Sequence, residues 1–109
     1  HHNRKIDSPS GTAQMLADTI NESLGNTMHC EYNRHDKHEK RDKNEIGMSS
    51  IRGGNIVGEH SVQFIGDFET FEIKHTSYSR NVFAEGSLKA AEFIVKQSPG
   101  LYNMEDMSK

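Results

Sequence analysis

The stretch HHNRKIDSPSGTA, residues 1–13, decides how the rest of the chain is interpreted. Its second half is a Pro-Ser-Gly-Thr turn of the kind that opens a helix, in which Ser10 is a good N-cap and Gly11 lets a ligand approach the backbone. Thr12 adds a hydroxyl group. The N–H groups at a helix start are unpaired and lie at the positive end of the helix macrodipole. Because basic side chains precede the turn, the stretch predicts a site for a small anion, either a carboxylate or a phosphate.

Plainer interpretations of these residues stay open. The leading His-His pair could be the remnant of a purification tag, and Ser-Gly-Thr before a helix is usually only a cap. A metal site is not predicted at His1 and His2, because adjacent residues of extended chain point to opposite faces and no third ligand is evident. His35 and His38 also lack a cysteine or a positioned carboxylate to complete a site.

The turn leads into a regular helix pattern. Apolar residues recur at spacings of three, four and four from Ala13 to Leu24, which is typical of an amphipathic helix. We predict this helix over residues 12–24, with Gly25 ending it. The other predicted elements are strands at 27–32, 46–51, 55–65 and 68–78, and a second helix at 81–97.

The strands predict the fold class. Those at 46–51 and 55–65 form one predicted pair, whose path Gly53-Gly54 would interrupt or bulge. A tight turn at Gly66-Asp67 predicts an antiparallel hairpin with the strand that follows. One side of this hairpin is apolar and the other mostly polar, so it needs a cover that the two helices can supply. We therefore predict an α+β fold: a mixed or antiparallel sheet of about four strands covered by two main helices.

The segment from residue 33 to 45 is the most polar part of the chain. It holds five basic and four acidic side chains and two histidines, and no apolar residue. Such a composition predicts a solvated, mobile loop that buries nothing.

Size and composition narrow the class of protein. A chain of 109 residues is one domain, and with 32% hydrophobic residues it can form only a modest core, which favours oligomerisation. The net charge of −3 argues against general nucleic-acid binding, and no apolar run approaches a membrane span. No secretory leader is visible. The single cysteine, Cys30, excludes an internal disulfide and fits a reducing compartment, so we expect a cytoplasmic protein.

Residues 1–13 resemble the active-site motif of the dihydrodipicolinate reductase family, which reads roughly E-x-H-H-x-x-K-x-D-x-P-S-G-T-A. Every fixed position from the first histidine onward is present. IRGGNIVGEH, residues 51–60, resembles a second segment of the family. SRNVFAEG at 79–86 and SPGLYNMEDM at 98–107 resemble its C-terminal helix and closing tail. The blocks follow the order of the family and span nearly the whole chain.

The resemblance implies an enzyme of two domains, of which this chain is the C-terminal one for substrate binding and oligomerisation. The N-terminal Rossmann domain is expected to be absent, since no Gly-x-Gly-x-x-Gly turn follows a strand. The implied reaction is the NADH- or NADPH-dependent reduction of (hydroxy/di)hydrodipicolinate to tetrahydrodipicolinate in diaminopimelate and lysine biosynthesis. The implied assembly is a homotetramer formed through the sheet. The chain on its own is then expected to be inactive.

The resemblance also implies roles for single residues. Lys5 corresponds to the proton donor, His1 to a proton donor or acceptor, and His2 to a substrate contact. One substrate carboxylate is expected on the turn formed by Ser10, Gly11 and Thr12. The tail is expected to place Tyr102 near the nicotinamide end of the cofactor, and without the cofactor domain we expect this tail to be frayed or repacked.

Two other functions remain possible from the residues alone. The same turn could belong to a binding module that captures a carboxylate or phosphate without any chemistry, or the chain could be a structural oligomerisation domain. We interpret the polar residues of the predicted sheet as hydrogen-bonded interface or half-exposed positions rather than catalytic ones; these are Arg52, Glu59 and His60.

Overall fold

Seven elements make up the fold in the computed structural model, which describes all residues from 1 to 109. In chain order they are α1 (Gly11–Ser23), β1 (His29–Glu31), β2 (Glu45–Gly47), β3 (Gly58–Ile65), β4 (Thr70–Ser77), α2 (Asn81–Ile94) and α3 (Met104–Ser108). Helices and strands of both pairing types are present, so the predicted α+β class is confirmed. None of the helices is long and apolar enough to cross a membrane.

Helix α1 forms where its cap and apolar stripe predict it. The Ser10 hydroxyl accepts a hydrogen bond from the Ala13 N–H at 3.1 Å, which satisfies one of the unpaired donors of the first turn. The helix ends at Ser23 with Leu24 as its C-cap, and Gly25 follows with φ of 77°, a left-handed conformation that glycine adopts without strain. The observed bounds differ from the predicted 12–24 by one residue at each end.

Strands β3 and β4 form the predicted antiparallel hairpin. Its register pairs Gly58 with Ser77 and His60 with His75 at the open end. The connection is a four-residue loop, closed by a hydrogen bond from the Gly66 N–H to the Glu69 carbonyl at 2.8 Å. Because side chains alternate across a strand, one face of β3 carries both Gly58 and His60.

The predicted pairing of strands 46–51 and 55–65 is wrong. Strand β2 instead pairs in parallel with β1, with Cys30 opposite Ile46, so the four strands lie in two separate two-stranded sheets. The chain between β2 and β3 is irregular, because its backbone groups bond elsewhere: the Gly53 N–H, for example, donates to the His1 carbonyl at 3.0 Å.

The polar segment 33–45 does bury a side chain, contrary to the prediction. Glu45 is 2% exposed, and Arg34 Nη1 donates to both of its carboxylate oxygens at 2.8 and 3.1 Å. Arg34 Nη2 donates to the Glu39 carbonyl at 2.7 Å, and Lys37 forms an ion pair with Glu31. Ion pairs within the segment and with β1 thus replace the apolar contacts that the segment lacks. No group of three or more potential ligand side chains is placed to hold a metal.

The C-terminal tail packs against α2 instead of fraying. The Tyr102 ring lies edge-on to Phe93 with centroids 5.9 Å apart, and its hydroxyl donates to the Ser98 carbonyl at 2.7 Å. A short helix, α3, follows, and Asn103 and Asp106 form its capping box. The five residues of α3 are too few for a periodic pattern, so this helix is not predicted from the sequence.

The helices leave the apolar side of the hairpin largely uncovered, in contrast to the predicted cover. Phe64 and Phe71 on the hairpin remain exposed, and α2 has no buried residue. A groove of about 570 Å³ runs between α1 and strands β2 and β3. The chain exposes 9062 Å², whereas a monomeric protein of this mass exposes about 6,100 Å². Its radius of gyration is 17.3 Å, against about 13 Å for a typical domain of this length.

Candidate active site

The first residues of the chain are bound to the loop that precedes β3. The His1 amine donates to the Ile51 carbonyl at 3.1 Å, and the Gly53 N–H donates back to the His1 carbonyl at 3.0 Å. The Asn3 N–H donates to the Gly54 carbonyl at 3.2 Å. The first two blocks of the family resemblance are therefore neighbours in the structure. These backbone bonds fix the loop that carries the predicted catalytic residues.

Lys5 is held inside this loop by a carboxylate. Its Nζ lies 2.7 Å from Asp7 Oδ1, and its N–H donates to the His2 carbonyl at 3.3 Å. The hydrogen bond from Lys5 holds the pKa of Asp7 below its ordinary value, so this carboxylate is ionised at neutral pH. Arg52 Nη2 donates to the Asp7 carbonyl at 2.7 Å and braces the same loop. The site thus contains a positioned ammonium group with a defined counter-ion.

His2 is positioned as a neutral hydrogen-bond donor. Its Nδ1 accepts the Arg4 N–H at 3.2 Å, which assigns the proton of the neutral ring to Nε2. Partial burial is the largest cause that lowers the pKa of His2, and the cations of Arg4, Arg80 and Lys5 add to it. Nε2–H is therefore available to a carboxylate at neutral pH.

Arg80 is a cation that sequence analysis missed. It follows β4 and occupies the N-cap position of α2, and its charge contributes to the lowered pKa of His2. The available signal was its position in SRNVFAEG, one of the blocks that resemble the family.

The turn at the start of α1 presents its backbone to open space. Gly11 and Thr12 are exposed, and a Cβ added to Gly11 would meet no heavy atom within 4 Å. Ser10, in contrast, is 6% exposed, and its hydroxyl already accepts the Ala13 N–H. The unpaired amides of the first turn can therefore donate hydrogen bonds to an anion, and the helix dipole favours negative charge there.

Strand β3 contacts two of the predicted site residues. The rings of His1 and His60 meet edge to face, with centroids 5.0 Å apart and an interplanar angle of 70°. His60 Nε2 lies 2.8 Å from Ser10 Oγ. A Cβ on Gly58 would come within 3.3 Å of His1 Nε2, so only glycine leaves the His1 ring its place without a shift. Sequence analysis interpreted His60 as an interface or sheet-face residue, and its alternation with Gly58 along β3 was the signal for this contact.

Tyr102 contacts none of the other predicted site residues. Its partners are Ser98 and Phe93, at the C-terminal end of α2. Six of the seven predicted residues therefore lie on the loop and helix start of residues 1–12, whereas Tyr102 lies on the tail.

Residues 1–12 thus carry a lysine, two histidines and an open helix N-terminus on an α+β domain, the groups that a small anionic ligand would need. The family model described as "Dihydrodipicolinate reductase, C-terminus" matches residues 1–107 of the chain. The chain therefore belongs to the dihydrodipicolinate reductase family, as its sequence motifs indicate.

Curated relatives agree with this assignment. The 4-hydroxy-tetrahydrodipicolinate reductase of Brachyspira hyodysenteriae is 56% identical over 107 residues, which are 98% of this chain and 46% of that protein. The enzyme of the same name from Caldanaerobacter subterraneus subsp. tengcongensis is 53% identical over 109 residues, 100% of this chain and 43% of that protein. The chain thus spans less than half the length of these relatives.

The solved structure described as dipicolinate bound dihydrodipicolinate reductase from Paenisporosarcina sp. TG-14 has a TM-score of 0.68 and 23% identity. It covers 97% of this chain, which covers 41% of it, and the likeness supports the fold.

Proposed function

We propose that the chain is the C-terminal domain of a 4-hydroxy-tetrahydrodipicolinate reductase that reduces (hydroxy/di)hydrodipicolinate to tetrahydrodipicolinate in diaminopimelate and lysine biosynthesis. The observation that carries the proposal is the loop of residues 1–12, in which a positioned lysine, two histidines and an anion-binding turn follow one another. A non-enzymatic carboxylate-binding or oligomerisation module does not require all of these groups together.

The substrate is a cyclic dicarboxylate, and the turn before α1 binds one of its carboxylates. The amides of Gly11 and Thr12, together with the Ser10 hydroxyl, are the donors of this subsite. His2 Nε2–H donates a further hydrogen bond to the substrate. A structural neighbour whose description names bound dipicolinate, a planar dicarboxylate, supports this choice of ligand.

Lys5 donates the proton that the reduction of the ring requires. An ammonium group close to the reacting atoms is a suitable general acid, and Asp7 holds it in place. His1 lies beside the same loop and serves as a proton donor or acceptor. Neutral His2 and the cations around it favour binding of a doubly negative substrate.

We expect the dinucleotide site to lie outside this chain. Its one parallel strand pair is joined by the polar segment 33–45 rather than by a glycine-rich turn and a helix. We therefore propose that an N-terminal Rossmann domain binds NADH or NADPH and that Tyr102 lies near the nicotinamide in the complete enzyme. The bound cofactor supplies the hydride.

The complete enzyme is a cytoplasmic homotetramer that assembles through the sheet. The large exposed surface and the apolar hairpin support association with other copies and with the cofactor domain. A free thiol at Cys30 and relatives named for a biosynthetic reaction support a cytoplasmic location.

The test is a reductase assay of the full-length protein with NADH and with NADPH. Substrate-dependent loss of the reduced nicotinamide absorbance is expected, whereas this chain alone is expected to bind pyridine-2,6-dicarboxylate without catalysis. A full-length protein that binds the dicarboxylate but oxidises neither cofactor would favour the binding module.

A further inference from the structure

His60 contacts two residues of the proposed site but has no role in the chemistry described above. It lies in β3, and its Nε2 reaches Ser10 Oγ at 2.8 Å across 50 residues of sequence. Ser10 is 6% exposed, so water has little access to this hydrogen bond. The bond joins the strand directly to the residue that begins α1.

The Ser10 hydroxyl depends on His60 for its orientation. A serine hydroxyl donates one hydrogen bond and accepts up to two, and the Ala13 N–H already takes one acceptor position. When His60 Nε2 carries the proton, it fills the second acceptor position and leaves the Ser10 proton free for a ligand. When Nε2 is bare, Ser10 donates to it instead. In either tautomer the imidazole determines where the serine proton points.

The same imidazole also fixes the ring of His1. The two rings meet edge to face at 5.0 Å, a geometry that aromatic pairs favour. Gly58, two residues before His60 on the same face of β3, leaves room for the His1 ring. One face of β3 therefore contacts both a predicted proton-transfer residue and the cap of the anion-binding helix.

We propose that His60 is a positioning residue of the dicarboxylate site: it holds the Ser10 hydroxyl and the His1 ring in the arrangement that substrate binding requires. This inference rests on the proposed function, and it assigns to the strand a part in substrate affinity. Burial, followed by nearby positive charges, lowers the pKa of His60, which keeps its ring neutral as this role requires.

The test compares three variants of the full-length reductase. His60→Phe keeps a ring beside His1 but removes the bond to Ser10, and it should raise the KM for the dicarboxylate substrate about tenfold with a smaller change in kcat. His60→Gln retains a hydrogen-bonding group at a similar reach and should restore most of the affinity. His75→Phe changes the exposed cross-strand neighbour of His60 and should leave both constants unchanged.

Equal KM values for the wild type and His60→Phe would overturn the proposal. So would an equal loss in the Phe and Gln variants accompanied by an equal fall in melting temperature, since that result indicates packing alone.

Hydrogen exchange gives a second measurement that needs no activity. Loss of the Ser10 contact in His60→Phe should speed exchange of the Ala13 amide, which Ser10 caps, and an unchanged Ala13 rate would count against the positioning role. A wild-type protein that neither reduces nor binds dicarboxylates contradicts the proposed function, and the exchange rates still decide whether His60 holds the turn.

Discussion

Lys5 and Asp7 are two residues apart, and their side chains meet at 2.7 Å on the loop that precedes α1. Such a pair orients the ammonium, because the Asp7 carboxylate beside it is ionised at neutral pH and accepts its hydrogen bond. Three side chains of the loop are each held by a partner that is near in sequence. Lys5 is held by Asp7, His2 by the Arg4 N–H, and Ser10 by the Ala13 N–H.

Replacement of Lys5 tests proton donation. Lys5→Ala in the full-length enzyme should lower kcat by roughly 10²- to 10⁴-fold, the usual contribution of a general acid, and raise KM much less. Lys5→Arg keeps the positive charge but its guanidinium does not give up a proton, so it should be nearly as slow. Steady-state kinetics check both variants. Unchanged turnover in Lys5→Ala would remove Lys5 from this role.

The Lys5–Asp7 pair also predicts a dependence of stability on pH. Because Lys5 lowers the folded-state pKa of Asp7, the pair stabilises the fold above the unfolded-state pKa of about 4 and loses that effect as pH falls through the lower folded-state pKa. Thermal unfolding of wild type and Asp7→Asn should therefore differ near pH 6 and converge towards pH 2. A difference that grows on acidification would contradict the assignment.

Strands β1 and β2 are held by charged residues rather than by an apolar core. Glu45 begins β2, is buried, and depends on Arg34 from the connecting segment for its hydrogen bonds. A buried carboxylate that loses its only cationic side-chain partner is costly, because no water replaces the lost donors.

Removal of Arg34 should therefore destabilise the fold more than neutralisation of Glu45. We expect Arg34→Ala to lower the free energy of unfolding by about 2–3 kcal/mol, below the penalty for a fully buried pair because the Arg34 side chain is 35% exposed. Glu45→Gln keeps the shape and removes the charge, and should cost less. Urea denaturation measures both, and a larger loss in Glu45→Gln would refute the order.

The sequence predicts α1 well but not the pairing of β1 with β2, because only the helix has local signals. Helix α1 has periodic apolar residues, a serine cap and a terminal glycine, all local signals, and its bounds were predicted within one residue. The parallel pair of β1 and β2 has three residues in each strand, and a polar segment separates them. No local pattern encodes that pairing, because it depends on which charges meet after folding.

The candidate site likewise has one part that the sequence predicts and one part that it does not. Motif positions on residues 1–12 were predicted from sequence because they follow one another along the chain. Three further residues approach this loop only through long-range contacts: Arg52 from the loop before β3, His60 from β3, and Arg80 from the start of α2. Long-range partners of this kind are visible only once the strands have been placed.

The whole molecule exposes 9062 Å², far more surface than the roughly 6,100 Å² of a monomeric protein of its mass, and many large apolar side chains contribute to it. Phe71 on the hairpin is 61% exposed, and neighbouring hairpin residues such as Ile73 are also exposed. A large exposed apolar patch indicates a surface that another protein chain or domain covers.

Substitution of Phe71 tests whether copies associate through this hairpin. Phe71→Lys in the full-length protein should shift the proposed tetramer to smaller species, because a charge at an apolar interface is poorly solvated. Met15→Lys is the matched control, since Met15 is also 61% exposed but lies on α1. Light scattering gives the mass of each species. A tetramer that survives Phe71→Lys would place the interface elsewhere.

Strand β3 has different surroundings at its two ends. Gly58 and His60, at its start, frame the proposed ligand site, while Phe64 and Ile65, at its end, lie on the exposed hairpin. Association through the hairpin would then restrain the same eight-residue strand that supports the catalytic loop. A compound that splits the subunits apart would on this basis inhibit the enzyme without competing with its substrate.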